Sequence, residues 1–277
     1  MKKRRSVFWF IWIGALLIIF GVLARLANGE KTYSSDSGIR ELEIIDDNTP
    51  ITIVGVSDHD PLTITYFEKK GSTYSFDASK ERLVVTKDKQ KWGWAFLSFF
   101  NVGFNRTGIV VEVPVSQLSS LALKTSNAHL VVEDLQVDEA TLKTSNAKVF
   151  LDQVSAAKSL LGETSNGKVE LIDVSAASLE CSTSNGPMEL NGIAADDARF
   201  HTSNGKISFD DMSATQSLNL KTSNGSIVGE LAGAQQDYHI TTKTSNAKNN
   251  LSNSNSGTVN LTVRTTNGQI NVDFAED

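Results

Sequence analysis

The chain has 277 residues, and 40% of them are hydrophobic, which is enough to bury a core and excludes wholesale disorder. The formal net charge is −6, and it becomes −11 when the five basic residues among the first 26 are left out. An acidic protein of this kind lacks the clustered Lys and Arg that nucleic acid requires. Cys181 is the one cysteine, so no intramolecular disulfide can form and stability must come from packing and strand ladders.

The first segment of the chain has the features of a membrane anchor. Four consecutive basic residues precede an uncharged apolar run over 7–24, just long enough to cross a bilayer as a helix. The positive-inside rule then predicts a cytoplasmic tail over 1–6, a transmembrane signal-anchor helix over 7–26 and an extracytoplasmic remainder, so we expect the protein at the cell membrane. The alternative is a cleavable signal peptide with Val22 and Ala24 before the cut, which exports the remainder equally.

The next part of the chain is polar at first and then strand-like. Residues 27–38 are predicted to be a linker, and residues 39–117 an irregular N-terminal β region with short alternating apolar runs. Residues 46–50 resemble a degenerate form of the corner that recurs later. We therefore expect residues 39–117 to begin and cap the repeat architecture that follows. A separate small β domain is the alternative.

An aromatic segment interrupts this β region. Six aromatic residues fall within 92–104, directly after a cationic run. One interpretation is a hairpin folded over the open end of the core. The other is a contact with the outer leaflet or with a partner, made by Trp92, Trp94, Phe96, Phe99 and Phe100.

The C-terminal part, residues 118–277, consists of repeats. Thr-Ser-Asn-Gly/Ala occurs seven times and Thr-Thr-Asn-Gly once, at spacings of 19 to 22 residues. A period this short means that each copy must stack on its neighbours to bury a core. The asparagines of the eight copies are Asn127, Asn146, Asn166, Asn185, Asn204, Asn224, Asn246 and Asn267.

Alternation around each asparagine predicts the fold. Apolar residues recur six and four positions before the Asn and three, five and eight positions after it, with the Thr two positions before it. Each copy is therefore two short strands, a tight Asn corner and a looser second corner. We predict an all-β protein, a single-stranded-coil β-solenoid (β-helix) of about eight regular rungs plus irregular N-terminal β rungs, preceded by one transmembrane helix.

The corner residues have separable roles. Because Ala replaces Gly in three copies and Ala resists positive φ, the left-handed residue is predicted to be the Asn, with Gly/Ala required by crowding. Stacked Asn side chains are expected to bond from rung to rung as a structural turn ladder. A ligand surface made from the Ser-Asn edges is the functional alternative.

Charge also follows the repeat. The outward positions beside the Asn corner are mainly basic, and those at the second corner are mainly acidic. Most such carboxylates are expected to accept backbone N–H bonds, while divalent cation binding is the alternative. Weak metal candidates are Asp152, Asp173 and Asp210. No cofactor is expected.

Catalytic motifs are not found in the sequence. The four histidines have neither metal-ligand spacing nor a nucleophile motif. We therefore expect a protein that is not an enzyme. A polysaccharide-active β-helix enzyme that uses the acidic column is the rival hypothesis.

The serial Thr-Ser-Asn-Gly corners and the Val113-Pro114-Val115 step before the first rung resemble a known group over residues 40–274. It is the bacterial putative-adhesin family of unknown function, which includes the LiaG-like membrane-anchored proteins of Gram-positive envelope-stress operons. The resemblance implies a surface-exposed β-solenoid without catalytic residues. Two functions are then open: a surface interaction module that binds an envelope polymer or another cell, or a regulatory or scaffold partner of membrane proteins in the envelope-stress response.

Overall fold

The computed structural model describes residues 30–35, 38–68, 72–89 and 108–275. The predicted cytoplasmic tail, the predicted transmembrane helix over 7–26 and the aromatic segment with Trp92, Trp94, Phe96, Phe99 and Phe100 lie outside these residues. Within them, no helix has the length and apolar character needed to cross a membrane. The prediction of a membrane anchor therefore stays a prediction.

Strands make up nearly all of the regular structure in the described ranges. They belong to one sheet, with a short 3-10 turn at Gln235–Asp237. The strands are β1 Glu30–Ser35, β2 Glu41–Ile45, β3 Ile51–Val56, β4 Leu62–Phe67, β5 Ser72–Ser79, β6 Arg82–Lys89, β7 Ile109–Pro114, β8 Ser120–Lys124, β9 Leu130–Lys143, β10 Val149–Glu163, β11 Val169–Thr183, β12 Met188–Thr202, β13 Ile207–Lys221, β14 Ile227–Leu231, β15 Tyr238–Lys243, β16 Val259–Arg264 and β17 Ile270–Phe274.

The five long strands β9 to β13 build the regular part of the solenoid. Each pairs in parallel with the next along most of its length, and each bends at the second corner, so its two halves belong to successive rungs. The bend is where the backbone turns left-handed, with φ of 50–55° at non-glycine residues and 63° at Gly192. The non-glycine residues at the bend are Asp134, Gln153, Asp173 and Asp211.

The assignment of the left-handed residue to the Asn was therefore wrong. None of the corner asparagines in the described part has positive φ. In the five long strands the left-handed position lies seven residues after the preceding Asn. Asp is its commonest occupant and tolerates this conformation better than most side chains.

The core lies between the two halves of the rungs, and its columns agree with the sequence pattern. The predicted inward positions are buried along β9 to β13, from Leu130 through Met212. Neighbouring side chains compensate in volume: Gly162, Cys181 and Phe200 stack in register, and a Cβ on Gly162 would lie 3.0 Å from the Cys181 Sγ. Burial raises the pKa of the Cys181 thiol to about 12, so the residue serves as a small apolar side chain.

The N-terminal end of the solenoid is built out of chain order. The rung of β2 and β3 pairs with β6 and β7 on one side and with β8 and β9 on the other. The described residues from 39 onward thus belong to the same sheet as the repeats. Beyond this, β5, β4 and β1 add antiparallel strands that protect the edge.

An aromatic cluster covers this end of the core. The Tyr33 ring stacks on Phe76 with centroids 4.7 Å apart, and Tyr66 contacts both Phe76 and Tyr74. Because Tyr33 belongs to β1, residues 30–35 are a strand of the cap and not part of a linker, contrary to the prediction for 27–38. The polar composition of β1 is typical of a linker, but the stacking of Tyr33 on Phe76 and the ladder with β4 are enough to stabilise it as a strand.

The C-terminal end also departs from chain order. β16 and β17 pair with β13 and β14 on one side, while β15 pairs with the outer side of β16. The rung of Asn267 is thereby inserted between those of Asn224 and Asn246. The free edge of β15 is covered by its own connection, since Ile240 and Ser254 exchange two backbone hydrogen bonds of 2.9 Å.

Candidate interaction surface

The asparagine corner forms one continuous exposed edge of the described rod. From the rung of Asn48 to that of Asn246, the Nδ2 of each Asn donates to the Oδ1 of the Asn in the adjacent rung on the N-terminal side of the rod, over 2.6–2.7 Å. All eight repeat asparagines are exposed. The order in space is Asn48, Asn127, Asn146, Asn166, Asn185, Asn204, Asn224, Asn267 and Asn246.

A second ladder lies inside the corner and uses the threonine of each repeat. In the five glycine rungs the amide of the residue after Asn donates to the Thr Oγ1 over 3.0–3.2 Å. From Thr144 onward, each Thr Oγ1 donates to a backbone carbonyl of the adjacent rung on the N-terminal side of the rod. That carbonyl belongs to the Gly or Ala that follows the Asn. The backbone is thus satisfied internally, and the Ser side chains are left for solvent.

The serine hydroxyls are the unused polar groups of this edge. Ser145, Ser165, Ser184 and Ser245 are exposed, and none of these hydroxyls has a hydrogen-bond partner in the described part of the chain. At the spacing of parallel strands, about 4.8 Å, they form a row of free donors and acceptors beside the Asn ladder. A surface of this kind can bind an extended ligand along its length.

A buried charged cluster closes the N-terminal end of the ladder. Asp46 takes the place of the repeat Thr: its Oδ1 accepts the amides of Asn48 and Thr49 at 2.8 and 2.9 Å, and its Oδ2 accepts the Tyr74 hydroxyl at 2.6 Å and pairs with Lys87 at 3.1 Å. Burial alone would raise the pKa of the Asp46 carboxyl, but these hydrogen bonds outweigh it, and the pKa lies below its ordinary value. This cluster was not found from the sequence, although the Asp two positions before Asn48 was a usable signal.

The basic columns beside the corner are neutralised in the middle of the rod. Lys143 pairs with Glu163 at 2.8 Å, and Lys168 lies between Glu170 and Glu189 at 2.9 and 2.6 Å. Lys148 adds a bond of 2.6 Å to Glu170. Since these carboxylates stand in outward positions next to the lysines, little net charge remains there.

The acidic column lies at the second corner. Glu133 and Asp152 are in register, but Ile172 and Asn191 separate Asp152 from Asp210 in the same column. Asp173 lies in the adjacent column, at the left-handed bend. Among the described residues no group of three His, Cys, Asp or Glu side chains is placed to hold a metal ion. The weak candidates Asp152, Asp173 and Asp210 line the same surface depression, but they do not form such a group.

The charge of Asp152 is unfavourable in the folded state. Burial, followed by the charges of Asp134 and Asp173, raises the pKa of the Asp152 carboxyl. A raised pKa means that the folded state binds the proton more tightly than the unfolded state, so this group destabilises the fold more as pH rises through that pKa.

Asp152→Asn should therefore stabilise the protein at pH 7. Asn191 already shows that an amide is accommodated in this column. The gain should shrink as the pH is lowered toward the ordinary pKa of Asp, about 3.9, because Asp152 is then protonated in the original protein. Urea unfolding at pH 7 and pH 4 measures the difference, and Asp60→Asn, at an exposed site, is the control. A gain that is equal at both pH values would contradict this account.

Comparison with known proteins agrees with the fold. The chain matches the Toastrack DUF4097 family over residues 39–277 and belongs to that family. The solved structures similar to it include a putative adhesin from Bacteroides fragilis, with 16% identity, a TM-score of 0.48 and coverage of 87% of this chain and 97% of the other. No curated protein matches the chain. The finer resemblance to the LiaG-like proteins stays a prediction.

Two further solved structures are also similar. One is a putative adhesin from Parabacteroides merdae, with 13% identity and a TM-score of 0.42 over 89% of this chain and 95% of the other. The second is a putative lipid binding protein from Parabacteroides distasonis, with 12% identity and a TM-score of 0.40 over 89% of this chain and 97% of the other.

Proposed function

We propose that the protein is a non-enzymatic, membrane-anchored module of the cell exterior that binds a surface component along its asparagine corner. The observation that supports this most is the unbroken exposed edge of nine bonded asparagines with a row of free serine hydroxyls. Such an edge offers many equivalent weak contacts and no converging reactive groups, which suits an extended partner better than a small substrate.

The proposed anchor fits the position of the cap. The chain follows the predicted membrane span with β1, and β1 is an outer strand at the N-terminal end of the rod. A span over 7–26 would therefore hold that end next to the bilayer, while the C-terminal rungs lie farther along the rod. The corner would then be accessible to envelope material.

The test is binding of the full-length protein, in neutral detergent micelles, to isolated cell envelopes. Ser145, Ser165 and Ser184 are each changed to Gln, which places bulk on the corner without removing a hydrogen bond of the fold. The control changes Ser79, Ser159 and Ser252, exposed serines away from the corner, to Gln in the same way.

We expect the corner variant to lose most of the envelope binding and the control to keep it, at equal thermal midpoints. If the original protein does not bind envelopes, the proposed function is wrong. If both variants bind equally well, the corner is not the contact surface.

A further inference from the structure

The charges at the C-terminal end of the rod are sorted to opposite corners. Between residues 200 and 275 every Lys and Arg stands beside the Asn corner, and four of the five acidic residues, Asp210, Asp211, Glu230 and Asp273, stand at the second corner. The fifth, Asp237, belongs to the 3-10 turn. An acidic protein thus carries one locally cationic surface.

Three of these cations are stacked in direct register. Lys221 of β13 is opposite Arg264 of β16, and Arg264 is opposite Lys243 of β15. All three are exposed, and the inserted rung places the guanidinium between the two ammonium groups. At about 4.8 Å for each strand, the row extends along the rod axis over roughly 10 Å.

The three cations of this row are not neutralised by acidic side chains of the described residues. None of the ion pairs found in the described residues involves Lys221, Arg264 or Lys243, in contrast to the middle of the rod. In the middle of the rod Glu163 stands in the same column as Lys143 and pairs with it, whereas no acidic residue stands in this column from Lys221 to Lys243. The column beside Lys206 and Lys248 likewise has Ser208, Val228 and Asn271 in the register that Glu170 and Glu189 occupy in the middle.

The opposite side of the corner adds two more cations. Lys206 and Lys248 are exposed in the column that follows the Asn, and neither has an acidic partner among the described residues. Between the two basic columns lie the hydroxyls of Ser223, Thr266 and Ser245, which have no partner in this part of the chain. The surface therefore has a row of three cations on one side of the corner. On the other side Lys206 and Lys248 stand with Ser226 and Gln269 between them, and hydrogen-bond donors lie between the two sides.

We propose that this C-terminal corner surface, made of Lys206, Lys221, Lys243, Lys248 and Arg264 with the hydroxyls between them, binds a linear phosphodiester polymer of the polyol-phosphate kind. Arg and Lys pair with phosphate oxygens, and Arg does so with two donors at once. Hydroxyls and amides bond the remaining oxygens. Cations repeated along one axis fit an anion that repeats its charge along a chain. The inference rests on the proposed function and names the ligand class for one end of the same edge.

The test uses the full-length protein in neutral detergent micelles and a synthetic poly(glycerol phosphate) as the probe, with affinity measured at several salt concentrations. Lys221→Gln, Lys243→Gln and Arg264→Gln are combined in one variant. The control combines Lys31→Gln, Lys143→Gln and Lys158→Gln, which removes the same charge from lysines that are paired with acids.

The patch variant should bind the polymer about 100-fold more weakly, at roughly a factor of five for each of the three cations. The slope of log affinity against log salt should fall by about 2. The control should stay within about twofold of the original protein. If both variants lose the same affinity, the loss follows from net charge alone and the proposal is wrong. The proposal is also wrong if the original protein does not bind the polymer at physiological salt.

Two further probes separate the possible sources of the phosphate. Polyglutamate with the same number of charges should bind at least about 10-fold more weakly, because carboxylates do not reproduce the phosphate contacts, and equal binding would overturn the choice of phosphate. Phosphatidylglycerol vesicles should not compete with the polymer at equal phosphate, and full competition would assign the surface to lipid headgroups instead.

Failure of this inference is distinguishable from failure of the proposed function. Binding of the patch variant to whole envelopes is measured alongside. If envelope binding persists at full strength while the purified polymer is not bound, the interaction module stands and its phosphodiester ligand is wrong.

Discussion

Asp46→Ala should lower the free energy of unfolding by about 3–5 kcal/mol, the range expected when one partner of a buried ion pair is removed. The carboxylate accepts two backbone amides, the Tyr74 hydroxyl and the Lys87 ammonium. Its loss leaves the amides of Asn48 and Thr49 without their acceptor. The Tyr74 hydroxyl and the partly buried Lys87 ammonium keep only the Thr49 Oγ1. Urea unfolding of the full-length protein followed by circular dichroism measures the loss.

The control for this prediction is on the same strand. Glu43 forms an exposed ion pair with Arg82 over 2.7 Å, and Glu43→Ala should cost less than about 1 kcal/mol. The double variant Asp46→Thr, Lys87→Leu should recover much of the stability, because it restores the Thr of the other rungs and removes the charge that needed a partner. A cost for Asp46→Ala no greater than that of Glu43→Ala would show that the cluster is not a structural cap.

The same carboxylate gives a pH dependence of defined sign. Because the pKa of Asp46 is lowered in the folded state, its contribution is present above the unfolded pKa of about 3.9 and is lost as pH falls through the folded pKa. Asp46→Asn should be less sensitive to acid than the original protein.

The rungs of the solenoid were predictable because each strand has a period of two and each copy repeats its columns. Leu142, Val149 and Leu171 are buried where the alternation places them, and the outward basic and acidic columns follow from the same register. Within each copy, the alternation of apolar and polar residues shows which side chains face the core. The buried positions can therefore be predicted without knowledge of the contacts between rungs.

The order of the rungs at both ends could not be predicted in the same way. The columns of the Asn246 and Asn267 copies are compatible with either order, since each presents equivalent strands to a neighbour. What decides is the connection: the long segment after Asn246 returns to cover β15, while β16 pairs with β13. This pairing depends on tertiary contacts, which a periodic sequence pattern does not specify. The inserted Arg264 and the cationic row are consequences of it.

The corner itself was understood only in part. The sequence predicts the crowding after Asn, but it places the left-handed residue at the wrong corner. The exchange of Gly for Ala in three copies is not connected with φ at the Asn, and it coincides with the loss of a hydrogen bond. The bond from this residue to the Thr Oγ1 is present in the five glycine rungs, and among the described rungs it is absent at Ala128, Ala147 and Ala247.

Gly186→Ala should therefore be among the most harmful single substitutions in the rod, at about 3 kcal/mol. A Cβ at this position would lie 1.7 Å from the Gly167 carbonyl oxygen, which already accepts the Thr183 hydroxyl at 3.2 Å. Relief requires the rung to open, which breaks the bond of 3.1 Å from the Gly186 amide to the Thr183 Oγ1. For a core of this size the thermal midpoint should fall by roughly 10 °C.

Two matched variants isolate the cause. Gly38→Ala adds the same methyl where no heavy atom lies within 4 Å, and it should change stability by less than about 0.5 kcal/mol. Ala147→Gly, in the same column as Gly186, should cost only about 0.5–1 kcal/mol through backbone entropy, because that rung lacks the bond to begin with. If Gly186→Ala and Gly38→Ala have equal thermal midpoints, the close approach of successive corners is wrong. A large loss of stability at Gly186 alone would mean that the short distance between successive rungs requires glycine at this position. The same distance sets the spacing of the serines and cations on the exposed surface of the corner.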